Sequence, residues 1–183
     1  LEKATGTSWE DWCAWFESQQ ASQLEHPKMA ELVLQRLTQP EFSHVSNPLW
    51  CAQGVTVAYE QHIGRRLPGQ RADGSFDGAI SKTFPCEAAE IYTRLVALLS
   101  GWDELQGRVL RQQRTSETPK RKYWRCALDD GSALEVSVEA KPETKDHQPR
   151  SLVTVTRRGL QAPEQVSSHK DFWAQVLGTL LTP

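Results

Sequence analysis

The sequence predicts an α+β fold, in which an N-terminal three-helix unit precedes an antiparallel β-sheet of about five strands covered by a long C-terminal helix. Three observations predict it. Apolar residues recur at helical spacing over roughly the first 64 residues. Period-two alternation begins at Phe76 and returns in four runs after residue 107. Helical spacing then resumes from Pro163 to the end. The switch from helix to strand falls within residues 47 to 84, NPLWCAQGVTVAYEQHIGRRLPGQRADGSFDGAISKTF.

The first helix begins at Thr7 or Ser8, because Thr7-x-x-Glu10 and Ser8-x-x-Asp11 both have capping-box spacing. Trp9, Trp12, Cys13 and Phe16 then form one apolar face, read as core in a unit small enough to need large side chains. The second helix starts near Pro27, presents Ala30, Val33, Leu34 and Leu37, and ends before Pro40. The third is capped by Asn47, has Pro48 at its first position, and stops near Ile63 with Gly64 suited to the left-handed exit. Trp50, Gly54, Val57 and Ala58 lie on one side of it and Ala52, Val55 and Tyr59 on another, so most of its circumference is expected to be buried. Gln53, Thr56 and Glu60 make the remaining polar stripe, expected to face solvent, a pocket or a partner.

Residues 65–75 read as a linker, since RRLPGQRADGS holds the Pro-Gly and Asp-Gly pairs that mark turns. The expected division is therefore a helical domain over 1–64, this linker, and a second domain over 76–183. FDGAISKTF alternates Phe76, Ile80 and Phe84 against Asp77, Ser81 and Thr83. Pro85 opens a helix with Ala88, Ile91, Tyr92, Leu95, Leu98 and Leu99 on one side, ended by Ser100-Gly101 and followed by Trp102. Strands are expected near 108–114, 120–128, 132–141 and 150–158, with PETKDHQPRS as a polar loop before the last.

The turn at Asp129-Asp130-Gly131 sets a register. A two-residue Asp-Gly turn would pair Arg125 with Val136 and mix charged with apolar side chains on one face. A three-residue loop with Gly131 left-handed pairs Leu128 with Ser132. Trp124 then opposes Val136 and Cys126 opposes Leu134 on the core face, while Arg125 meets Glu135 and Arg121 meets Glu139 outside. Both the apolar and the charge criteria select the second register. In the last helix, Trp173, Val176, Leu177 and Leu180 form the buried face.

The 183 residues are 24% charged and 38% hydrophobic, which suits a soluble globular protein. No apolar run approaches the roughly 20 residues of a membrane span, and no apolar leader is evident. The four cysteines are far apart and each sits in an apolar pattern, so buried free thiols in a reducing cytoplasm are expected. The five histidines have no metal-ligand spacing, and no cofactor is expected. Residues 1–64 hold three basic and eight acidic side chains, net −5, against +3 for the remainder. An acidic helical domain would be repelled by phosphates, which argues against nucleic acid as a partner.

The run VTVAYEQHIGRRLPGQRADGSFDGAISKTF, with TGTSWEDW and LWCAQ before it, resembles a bacterial family of unknown function. In that family a short helical domain precedes a START-like domain, similar to polyketide cyclases and to the C-terminal domain of chaperone-ATPase activators. The match is dense over 55–84. Downstream it thins to the Asp129-Asp130-Gly131 turn, EVSVEAK and Lys170-Asp171-Phe172-Trp173. The resemblance implies a helix-grip arrangement, with an apolar space between sheet and last helix.

The lining of that space would come from Ile80, Trp102, Leu110, Trp124, Cys126, Leu134, Val136, Val155 and Trp173. A small apolar ligand is one reading, and a filled core the other, given few strands and large Trp side chains. Gln53, Thr56, Glu60, Arg71 and Asp73 are candidates for a polar site at the hinge, or the ordinary content of a helix end and loop. Seven cations between Arg108 and Arg125 face one acid, Glu117, and are read mainly as solvated strand faces. No nucleophile elbow or phosphate loop is present, and the expected inner faces carry no Asp, Glu or His, so catalysis is not expected. A binding or regulatory module follows, with a protein-interaction module, chaperone-linked by analogy, or a cyclase- or hydrolase-like enzyme as the alternatives.

Overall fold

A computed structural model describes residues 1–142 and 148–180; part of the expected polar loop, 143–147, and the last three residues lie outside them. The chain divides into two compact units, Leu1–Pro68 and Gly69–Pro183.

The first unit contains α1 (Glu2–Thr5), α2 (Trp9–Ser18), α3 (His26–Leu37) and α4 (Pro48–His62), with 3-10 turns at Ala21–Gln23 and Pro40–Phe42. Ser8 caps α2 by accepting from the Asp11 amide, and Asn47 caps α4 by accepting from the Trp50 amide. Gly64 leaves α4 with φ 72°. Trp12 and Phe16 are fully buried with Met29, Val33, Ala52 and Val55. Burial of Phe16, Met29, Val33 or Val55 contributes roughly 1.5–3 kcal/mol each by leaving water. The Arg36 guanidinium lies 4.9 and 4.8 Å from the Trp12 and Trp15 rings, closing this core with a cation–π contact.

The third helix inverts one expectation. Thr56 and Glu60 of the polar stripe are buried, whereas Trp50, placed on a buried side, is 68% exposed. Gln53 alone of the stripe is exposed. Helical spacing identifies a stripe, but an all-round apolar helix does not say which side meets the neighbouring helix. Glu60 is held inward by Arg66 and His26, described below.

The second unit is a six-stranded antiparallel sheet in the order β1-β6-β5-β4-β3-β2, curled beneath two helices. Its elements are β1 (Phe76–Phe84), α5 (Ala88–Ser100), β2 (Glu104–Leu105), β3 (Arg108–Glu117), β4 (Arg121–Leu128), β5 (Ala133–Lys141), β6 (Arg150–Leu160) and α6 (Pro163–Thr179). The strand beyond the expected five is β2, whose two residues are too short to show periodicity. The β4–β5 register is the three-residue one: Trp124↔Val136, Cys126↔Leu134, Arg125↔Glu135 and Arg121↔Glu139. Gly131, at φ 81°, donates to the Leu128 carbonyl, and the Leu128 amide donates to Ser132.

Two helices, not α6 alone, cover the inner face. Ile91, Leu95 and Leu99 of α5 join Trp173 and Leu177 of α6 in one apolar cluster with the strands. The Tyr92 hydroxyl donates to the Tyr123 carbonyl (2.8 Å) and the Ser151 hydroxyl to the Cys86 carbonyl (2.7 Å), tying α5 to β4 and β6. Of the four thiols, Cys51 and Cys126 are buried, while Cys13 and Cys86 are only half-buried.

Candidate functional site

Under α6, the expected lining residues come together. Trp124, Cys126, Leu134, Val136, Val155 and Trp173 are each 4% exposed or less, and Leu110 is buried beside them. Ile80 and Trp102 are half-buried and pack against the same cluster. Trp102 meets Trp173 with ring centroids 5.7 Å apart. Burial pushes the Cys126 thiol up to about 11, so it is an inert apolar group.

Within this apolar interior lies a group that sequence reasoning missed. His169, one turn before Trp173 on the inner face of α6, is fully buried. Neither of its ring nitrogens, nor Trp173 Nε1, meets hydrogen-bond geometry with a described residue. Burial lowers the His169 pKa to about 4; the Val155 backbone opposes the shift, and the Arg157 and Lys170 charges add to it. The imidazole is therefore neutral near pH 7, with one donor and one acceptor. Gly78 of β1 makes room for it: a Cβ there would lie 3.0 Å from His169 Cδ2 and 3.3 Å from Leu160 Cδ1. The signal existed in the sequence, because residue 169 falls four before Trp173 on the same helical face.

Beside it, Arg157 of β6 is 5% exposed and fully engaged. Its Nη2 donates to Asp130 (2.9 Å), its Nε to the Ser132 hydroxyl (3.1 Å), and its Nη1 to Gln106 (3.4 Å). Gln106, held at φ 50°, in turn donates to the Ser168 carbonyl of α6 (3.4 Å). Burial works against ionisation of Asp130, but the Ser132 hydrogen bonds and the Arg157 and Arg108 charges bring its carboxyl below the ordinary value. The expectation of inner faces free of Asp, Glu and His thus fails at His169. Among the described residues no carboxylate is hydrogen-bonded to that ring.

The polar residues expected at the hinge are placed differently. Glu60 accepts from Arg66 Nε (3.0 Å) and lies 3.0 Å from His26 Nδ1, while His26 Nε2 lies 3.0 Å from Gln53 Oε1. Thr56 is buried with its hydroxyl unpartnered. Arg65 donates to the Leu24 and Ser22 carbonyls, so the exit of α4 is tied to the entry of α3. In the second unit Arg71 pairs with Asp77. Asp73 accepts from the Ser75 amide and hydroxyl, which holds its carboxyl below the usual range. The Arg71 and Asp73 contacts are local to their turn, whereas those of Glu60 and Arg65 join residues distant in sequence.

The fold and this interior define an α+β protein with a C-terminal helix laid over an antiparallel sheet. Among the described residues no helix is long and apolar enough to cross a membrane, and no group of three or more His, Cys, Asp or Glu could hold a metal. No family model and no curated protein matches the sequence. Alignments to solved bacterial structures cover part of the chain. CalU16 from Micromonospora echinospora aligns with 57% of this chain and 75% of its own, at 13% identity and TM-score 0.36. The Mll3558 protein from Rhizobium loti aligns with 58% of this chain and 95% of its own, at 13% identity and TM-score 0.37.

Proposed function

We propose that the second unit binds a small, largely apolar molecule between the inner sheet face and α6, without chemical conversion. The observation that carries this reading is the set of three polar atoms, His169 Nδ1, His169 Nε2 and Trp173 Nε1, one helical turn apart in the interior; none reaches full hydrogen-bond geometry, although the Val155 backbone interacts with the imidazole. Each such atom left unsatisfied costs on the order of 1–3 kcal/mol. A ligand hydroxyl or carbonyl would offset that cost while its apolar body joined Trp124, Val136 and Val155. The same place is where the resemblance to START-like domains implies a ligand.

Native mass spectrometry of the purified full chain, with thermal shifts against long-chain alcohols and fatty acids, tests the proposal. A retained adduct or a saturable shift is expected, lost in His169→Phe. Absence of both with every compound would overturn it.

A second reading, protein interaction, rests on Leu49 and Trp50. They are adjacent on the first turn of α4 and 62% and 68% exposed. Concentration-dependent sedimentation that disappears in Trp50→Ala would support self-association through this turn.

A further inference from the structure

The outer face of the sheet carries a second feature, formed where β3 is bulged. The β3–β4 ladder runs Arg111↔Ala127 and then Arg114↔Arg125, so Gln112 and Gln113 together oppose Cys126. Gln112 takes φ 52°, a left-handed conformation uncommon outside glycine. Across the next strands the register continues Ala127↔Ala133↔Arg158. Two alanines therefore form a low floor between β3 and β6, and long cationic side chains rise on both sides. The resulting trough has a volume of about 250 Å³, with Arg114, Arg125 and Arg158 among its walls.

The charge in this trough is not balanced. Arg114 and Arg125 are directly opposed, an arrangement that destabilises a cross-strand pair. Glu135 is the acid in the wall: it accepts from Arg125 Nε at 2.6 Å and lies 3.9 Å from Arg158. Arg125 is further fixed by donating to the Ser116 hydroxyl (2.7 Å) and by stacking on Tyr123, its guanidinium carbon 4.0 Å from the ring centroid. The Arg114 side chain pairs with no acid among the described residues. Three guanidinium groups against one carboxylate leave an excess of two positive charges over a shallow floor. A bulge and charges also blunt the open edge of β3. Edge protection does not account for Arg158, which closes the trough from β6, three strands inward.

We propose that this trough binds a small dianion, the chemistry shared by phosphate esters and dicarboxylates. Arg114 and Arg158 would clamp it from opposite sides and the oriented Arg125 would meet it at one end. The site is independent of the interior beneath α6.

Isothermal titration of the full chain with inorganic phosphate, and separately with succinate, tests this and distinguishes the two sources of charge. Saturable binding of one probe in the millimolar range or tighter is expected, weakening as salt is raised. Arg114→Ala and Arg158→Ala should each weaken it by about tenfold. Ala133→Leu, which fills the floor without changing charge, should abolish it, and circular dichroism on that variant checks that it folds. Lys120→Ala, outside the trough, should leave binding unchanged. The proposal is overturned if neither probe saturates, or if Lys120→Ala weakens binding as much as Arg114→Ala, since that would mark a diffuse field.

Discussion

Each unit buries a polar cluster that includes a histidine, and the two clusters are built on opposite principles. In the helical unit, buried Glu60 is held by the half-buried Arg66 and His26, and His26 also meets the exposed Gln53, so each of these groups has a partner. Under α6, His169 and Trp173 bring three polar atoms into the interior and none reaches full hydrogen-bond geometry, the Val155 backbone interacting only weakly with the imidazole. A saturated cluster fastens helices together and has nothing left to offer a ligand. An unsatisfied one weakens the fold and calls for an explanation.

The comparison breaks most visibly at Glu60. Glu60→Leu strands Arg66 and His26 without their carboxylate and should cost about 3–5 kcal/mol in urea denaturation. A loss below about 1 kcal/mol would show that the ion pairs do not fasten α4 to α3.

Acid sharpens the other side. His169 titrates near 4 in the folded protein and near 6.5 when unfolded. The unfolded chain therefore binds more protons between those values. Stability should be fully present above about pH 6.5, fall as pH drops towards 4, and level off below that. The group's share is on the order of 3 kcal/mol, and His169→Phe should flatten the profile over this window. An unchanged profile in that variant would remove His169 from the account.

Gly78 tests the space given to the imidazole. Gly78→Val places side-chain atoms against His169 and Leu160, where even a Cβ is too close. It should cost roughly 1–3 kcal/mol by overpacking. The same change in a His169→Ala background should cost less, measurable as a coupling in a double-mutant cycle.

The smallest effect is expected outside. Arg121 and Glu139 face each other across β4 and β5 at 2.6 Å, but the Arg121 side chain is half exposed. Arg121→Ala should leave the denaturation midpoint unchanged within error, because solvent screens such pairs.

Much of the fold was legible in local chemistry. The caps at Ser8 and Asn47, the left-handed Gly64 and the register at Gly131 all follow from rules spanning a few residues. The hairpin was the most informative, since one shift in pairing would have turned Trp124 and Cys126 outward. What escaped were long-range choices. Glu60 was assigned to a polar stripe because its partners His26 and Arg66 are not neighbours on its helical face. The candidate site was half visible: its apolar walls followed from alternation, but His169 looked like any polar residue on a helix.

The amino-acid sequence by itself determined where elements start and stop, which strand faces are apolar, and how β4 meets β5, because these depend on contacts close along the chain. Only the tertiary structure decided that Glu60 is buried, that α5 shares the cover with α6, and that His169 stands in the interior short of full hydrogen-bond geometry. Each of those depends on which distant surface a residue meets, and burial turns that meeting into a satisfied polar group or an open one.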